Sequence, residues 1–271
     1  MSSHHSPAAR LTAGALLTSA AALASVGTLA PAPAAAATAT GQQKKAHATA
    51  AVLDLDGGDG APVIHGADRA YDTASIVKVD ILAALLLKAQ DEGRQLTSQE
   101  RGRAEPMIRR SDNAAANALW REIGEAPGLA AANKRLGLTS TSGGPGAKWG
   151  LTRTTASDQI RLLRAVFGTG AKRSPGAGAL GAKSRAYVRT LMSRVAPEQA
   201  WGVTAVSGPG ARQALKNGWL QRDTTGLWDV NSVGQVTVKG HRYLVAVLSN
   251  GSASMSDGIS LVERTAREAM T

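Results

Sequence analysis

The sequence predicts an α+β fold: a five-stranded antiparallel sheet flanked by helices, with an all-α subdomain inserted between its second and third strands. Strand signals occupy both ends of the chain, residues 46–70 and 202–271, while 71–201 reads as a succession of helices. Apolar residues make up 43% of the chain, enough for a proper core, but aromatics are only 3%, so alanine and glycine must carry much of the packing. At 271 residues the chain fits one large domain or two interleaved subdomains, and no internal repeat divides it.

Residues 1–37 read as a leader. A short basic start ending at Arg10 precedes an apolar run from Leu11 to Ala30, and Pro31-Ala-Pro-Ala-Ala-Ala-Ala supplies small residues of the A-x-A type. This is the pattern of a secretory signal peptide cut near Ala36 or Ala37. A retained membrane anchor is the rival reading, because the run is long enough to span. Ala46–Asp56, a Gly57–Gly60 turn and Ala61–His65 form a hairpin signal. An apolar helix begins at Ser75 and stops at Gly93, a good C′ residue.

Thr97-Ser-Gln-Glu100 is a capping box that opens a helix, which Pro106 bends or shortens before Ser111. Helices over 114–123 and 128–136 end at Gly124 and Gly137. Leu138–Arg153 is a long irregular loop holding Trp149, and loops of this length are commonly functional. Thr155-Ala-Ser-Asp158 caps a helix to Phe167, with Asp158 committed to the cap. A glycine-rich tether over 169–181 leads to a helix over 184–195. Strands at 213–220, 227–238 and 241–250 and a helix at 256–270 close the chain.

The chemistry centres on Asp72-Thr-Ala-Ser-Ile-Val-Lys78. Ser75 and Lys78 stand three residues apart, so on a helix they share a face with roughly 4.5 Å of axial rise between them. Apolar residues surround the following turns almost entirely, the pattern of a buried helix. Burial disfavours the charged form of a lysine and lets it serve as a base. Free N–H groups at the helix start suit a developing oxyanion, and the set reads as an activated serine nucleophile. Taken alone, S-x-x-K is a frequent coincidence, and a serine before an apolar helix is commonly only a cap.

Ser111-Asp-Asn113 and Lys216-Asn-Gly218 follow in order, one in the helical block and the other on the first strand after it. With S-x-x-K, these motifs resemble S-D-N and K-T-G of the class A serine β-lactamases and their relatives, the penicillin-binding D,D-peptidases. The likeness extends over about 46–270, and residues 38–271 would form its single catalytic domain. It implies that Ser75 attacks a carbonyl and becomes acylated while Lys78 takes its proton. Ser111 relays a proton to the leaving nitrogen, and Lys216 tunes that relay and attracts a substrate carboxylate. Asn113 binds a substrate amide and helps hold Lys78, Asn217 donates to the carboxylate, and Gly218 belongs to the substrate-binding strand. The N–H groups of Ser75 and Trp219 form the oxyanion hole. No cofactor or metal is implied; the substrate is a β-lactam or a D-Ala-D-Ala-like peptide, and the protein a monomer.

Two departures stand out. Asn217 replaces the usual hydroxyl residue, and no acidic residue lies between Glu125 and Asp158, where class A enzymes carry a deacylating glutamate. Loss of a general base costs about 10²–10⁴-fold in its step, so deacylation is expected to be slow.

With no cysteine, thiolate metal sites are excluded and the core must hold the exported chain without disulfides. Five scattered histidines argue against a histidine metal site. The formal charge of +11 favours anionic envelope polymers outside the cell, in the secreted or cell-envelope setting that the leader implies. Dispersed Lys and Arg without an aromatic–basic motif argue against nucleic acid.

Overall fold

The computed structural model describes residues 45–57, 60–168, 179–208 and 210–271. The expected leader, most of the glycine-rich tether and part of the Gly57–Gly60 turn lie outside them. The first strands are β1 (His47–Asp54), β2 (Val63–His65) and a short β3 (Tyr71–Asp72). Helices α1 (Val77–Asp91), α2 (Ser98–Arg109), α3 (Asn113–Glu122) and α4 (Glu125–Leu136) follow. Then come β4 (Arg153–Thr154), α5 (Ala156–Phe167), α6 (Ala182–Met192), β5 (Ala214–Gln221), β6 (Trp228–Val238), β7 (His241–Ser252) and α7 (Met255–Ala269).

The main sheet is five-stranded and antiparallel, as the sequence pattern anticipated, and its strand order is β2-β1-β7-β6-β5. Its alternation divides the core. Ala51, Leu53, Leu244, Ala246 and Leu248 face the helical layer, whereas Ala50, Val52, Val245 and Val247 face α7 through Val262 and Ala266. The β6–β7 hairpin turns through Lys239 and Gly240, both at positive φ (50° and 85°), as a tight antiparallel turn requires.

Helix α1 is the centre of the helical layer. Ile81, Leu82, Ala83 and Leu85 are fully buried, so its apolar content is used on every side. Helix α2 opens with the expected capping box, Thr97 Oγ1 accepting from Glu100 N and Glu100 accepting from Thr97 N. It carries Pro106 and continues to Arg109, two residues before Ser111. Helix α4 starts at Glu125, earlier than its glycine content suggested.

A second, two-stranded sheet joins β3 to β4 and was not anticipated. Each partner strand is only two residues long, too short to show a period. It ties the end of the long loop to the segment leading into Ser75, with Thr73 N donating to Thr152 O (2.8 Å).

Candidate active site

Ser75 lies in a 3-10 turn, Ala74–Ile76, that runs directly into α1. Three elements hold this turn. Asn231 on β6 donates from Nδ2 to Asp72 O (2.9 Å) and Thr73 O (3.1 Å). Asp72 pairs with Arg153 and Arg222. Gly218 on β5 packs so closely that a Cβ there would sit 2.6 Å from Ser75 N and 2.8 Å from Ile76 N. Ala74 adopts φ +47° and Ser111 φ +59°, a left-handed geometry that costs about 1–2 kcal/mol for a residue with a Cβ. Strained backbone on both sides of the cleft is characteristic of places where position matters more than local comfort.

Lys78 is completely buried and its Nζ is the hub of the site. It lies 2.9 Å from Ser75 Oγ, 2.7 Å from Ser111 O, 3.1 Å from Ser111 Oγ and 2.7 Å from Asn113 Oδ1. Burial lowers its pKa from 10.5 to about 7, and the negative charge of Asp112 opposes the fall. Two of the four oxygens, Ser111 O and Asn113 Oδ1, can only accept. A neutral amine therefore donates its two N–H groups to them and keeps its lone pair for a hydroxyl. Ser75 Oγ is in place to use it.

Lys216 approaches Ser111 from the other side, Nζ donating to Ser111 Oγ (3.0 Å) and to Asn217 O (2.7 Å). It is also buried, and burial followed by the nearby charge of Lys78 drives its pKa well below the ordinary lysine value. Ser111 Oγ is thus bracketed by two amines. Asp112, between the two expected site residues, caps α3 by accepting from Ala115 N (2.7 Å).

The structure brings together Ser75, Lys78, Ser111, Asn113, Lys216 and Gly218. Asn217 is different. Its amide is buried and donates to Gln199 O (2.8 Å) and Trp201 O (3.0 Å), so the donor expected for a substrate carboxylate is already spent. Alternation along β5 explains this, since Lys216 and Gly218 face the Ser75 side and the residue between them faces away. Lys216, expected to attract that carboxylate as well, is only 1% exposed and has its contacts inside the site. Trp219, next along β5, leans on Trp201 with ring centroids 5.9 Å apart, a partly buried aromatic pair at the sheet edge.

Asp158 also departs from expectation. Thr155 Oγ1 provides the α5 cap, accepting from Asp158 N (3.2 Å). The Asp158 carboxylate instead accepts from Ser140 N (2.8 Å) and Thr141 Oγ1 (2.7 Å) and pairs with Arg161, pinning the start of the long loop. The loop carries Trp149 over the site: its ring centroid is 4.7 Å from Lys78 Nζ, and its Nε1 donates to Asn117 Oδ1 (2.7 Å). Trp149 was visible in sequence only as an aromatic in a long loop, and Asn117 and Asn231 carried no motif.

The family model described as the beta-lactamase enzyme family matches residues 101–271. The chain belongs to the beta-lactamase enzyme family. Solved structures agree on the fold. PBP-A aligns with TM-score 0.66 at 24% identity over 84% of this chain and 89% of that one. A β-lactamase from Xanthomonas campestris pv. campestris gives 0.68 at 18% identity, covering 83% and 90%. TLA-3 extended-spectrum β-lactamase gives 0.69 at 17% identity, covering 83% and 92%. Among curated proteins, LppW of Mycobacterium tuberculosis and Mycobacterium bovis, described as a candidate lipoprotein, is 35% identical over 115 residues, 42% of this chain. That match spans 36% of the length of those relatives. The class A serine β-lactamase-like resemblance drawn from the three motifs is therefore correct at the level of family and fold. Among the described residues, no helix is long and apolar enough to cross a membrane.

Proposed function

We propose that this protein is an exported serine hydrolase that opens β-lactams through a covalent acyl-serine and releases the product slowly. The observation carrying this reading is the Lys78 hub, a buried amine with pKa about 7 whose free lone pair meets the Ser75 hydroxyl at 2.9 Å. Ser75 Oγ attacks the carbonyl carbon as its proton passes to Lys78. The N–H groups of Ser75 and Trp219 receive the oxyanion, a role supported by the tight stacking of β5 on the nucleophile turn at Gly218. The C–N bond breaks as Ser111 Oγ gives its proton to the leaving nitrogen. Lys78 then restores the Ser111 proton, with Lys216 fixing the hydroxyl between the two amines. Asn113 holds Lys78 and presents its amide N–H groups to the substrate side chain.

Slow release is supported by the loop 138–153, which has no carboxylate. Asp72, Asp112 and Asp158 are each engaged elsewhere. The same observation favours a second reading, a D,D-peptidase or penicillin-binding protein acting on peptidoglycan-like substrates at the cell envelope, where a long-lived acyl-enzyme with β-lactams is the expected side reaction. One structure of a mutant PBP-A is an acyl-enzyme complex with penicillin G, in keeping with covalent capture on this fold.

A chromogenic cephalosporin assay joined to intact-protein mass spectrometry decides between them. Turnover with a transient adduct supports the hydrolase, and a persistent adduct without turnover supports the second reading. In either case Ser75→Ala abolishes the adduct. A wild-type protein that never gains the mass of the drug is a binding protein on this fold, and the enzymatic reading fails.

A further inference from the structure

Lys78 Nζ is closed on all the sides the structure describes. Four oxygens surround it at 2.7–3.1 Å, and the Trp149 ring covers a further side with its centroid 4.7 Å away. A water interposed between the amine and the ring face would need roughly 2.9 Å plus roughly 3.5 Å between them. The gap is too small for it. The indole therefore lies directly on the amine with no solvent layer.

The ring is held there by construction. Trp149 opens a 3-10 turn (Trp149–Leu151) that packs on the Ala74–Ile76 turn, and Nε1 donates to Asn117 Oδ1 at 2.7 Å. The flanks are tied on both sides. Gly146 O accepts from Trp120 Nε1 (2.8 Å), and Thr152 O accepts from Thr73 N (2.8 Å), immediately before the nucleophile turn.

We propose that Trp149 sets the lifetime of the acyl-serine by roofing Lys78 and excluding the water that Lys78 would otherwise activate. This inference rests on the acyl-serine reading and goes beyond it by assigning the slow step to a side chain that is present as well as to a carboxylate that is missing. In the reaction that the roof suppresses, a water oxygen bonds to the acyl carbon while its proton moves to the neutral Lys78 amine. The ester C–O bond to Ser75 then breaks, and Ser75 Oγ takes the proton back from Lys78. No other reactant is required. Trp149 is a positioning residue here, acting through the amine and not on the substrate.

Removing the ring has two consequences of opposite sign. Water enters a pocket edged by Lys78, Asn113 and Asn117, all polar, and deacylation gains its nucleophile. The same water restores solvation to the amine, so its pKa rises and acylation becomes slower on the acid side of neutrality. A merely structural role would slow acylation without quickening the decay of the adduct.

The test uses the mature protein acylated with penicillin G, freed of excess drug and followed by intact mass between pH 6 and 9. Trp149→Ala is expected to shorten the adduct lifetime at least tenfold, with decay that quickens as pH rises, and to move the pH midpoint of acylation upward. Trp149→Phe keeps a ring on the amine without the Asn117 hydrogen bond and is expected to keep a lifetime within about threefold of wild type. Trp149→Leu, smaller and apolar, supplies the same comparison if the alanine variant does not fold. Adducts of equal lifetime on wild type and on the folded alanine or leucine variant overturn the proposal, as does a phenylalanine variant that decays as fast as alanine. Absence of any adduct on wild type is a different result: it removes the acyl-serine reading itself.

Discussion

The acylation rate should follow the titration of Lys78, and Asp112 should set where that titration falls. With its pKa brought from 10.5 to about 7 by burial, Lys78, as the proposed base, would become mostly neutral only above pH 7. About one-tenth of it is neutral at pH 6 and about nine-tenths at pH 8, so the acylation rate should rise roughly tenfold over that interval and then level off. An ordinary lysine would still be less than about 1% neutral at pH 8, and its rate would climb roughly a hundredfold over the same interval without levelling. Asp112 holds the value up against burial. Asp112→Asn keeps a good N-cap for α3 but removes the charge, so the midpoint moves to lower pH and acylation at pH 6 becomes faster than in wild type. The assay is pseudo-first-order labelling of Ser75 with a fluorescent penicillin at subsaturating concentration, stopped at intervals and read on gels from pH 5.5 to 9. A flat wild-type profile, or a midpoint that moves upward in Asp112→Asn, refutes the assignment of Lys78 as the base.

Two further outcomes follow from β5. Gly218→Ala places a methyl group 2.6 Å from Ser75 N and 2.8 Å from Thr73 O, both backbone atoms that cannot turn aside. It should cost about 1–3 kcal/mol in thermal unfolding and slow acylation at least tenfold; an unchanged Tm together with an unchanged rate would show that β5 does not press on the nucleophile turn. Because Asn217 and Lys216 have their donors engaged inside the protein, a penam methyl ester should acylate Ser75 within about tenfold of the free acid, measured by competition with the fluorescent penicillin. A preference for the acid beyond about a hundredfold would place a free cation at that subsite.

How much of this was legible in the sequence depended on whether the signal was local. Ser75 and Lys78 are related by helical spacing, and the five main strands by alternation, so both were readable without knowing what packs where. Ser111, Asn113 and Lys216 were readable as short motifs once the first was in hand. The orientation of Asn217 follows from the same alternation that places Lys216 and Gly218 on one side, but reading it requires knowing which side holds the nucleophile. Asp158 shows the converse. A Thr-x-x-Asp pattern suggests a cap, and Thr155 does cap, yet the carboxylate finds stronger use holding Ser140 and Thr141 eighteen and seventeen residues back. Trp149, Asn117 and Asn231 belong to a loop, an exposed helix face and a central strand that meet only in three dimensions. Nothing periodic marks them.

On the proposed chemistry, the apolar character of α1 would be a functional property. A lysine with ordinary solvation would hold its proton at neutral pH and could not accept one from Ser75. Here the fully buried Ile81, Leu82 and Leu85 keep the helix in the interior, and the Trp149 ring closes the side of the amine that the oxygens leave open. The lowered pKa works against folding wherever Lys78 is charged in both states. That cost, on the order of 5 kcal/mol, is full below pH 7 and fades as pH rises toward 10.5. Apolar burial worth about 1.5–3 kcal/mol per large side chain is what lets the fold carry it. Lys216, buried like Lys78, has its Nζ turned inward to Ser111 Oγ and Asn217 O. Beside it on β5 lies the Trp201–Trp219 pair, an apolar edge in keeping with the expectation that the methyl ester acylates about as fast as the free acid.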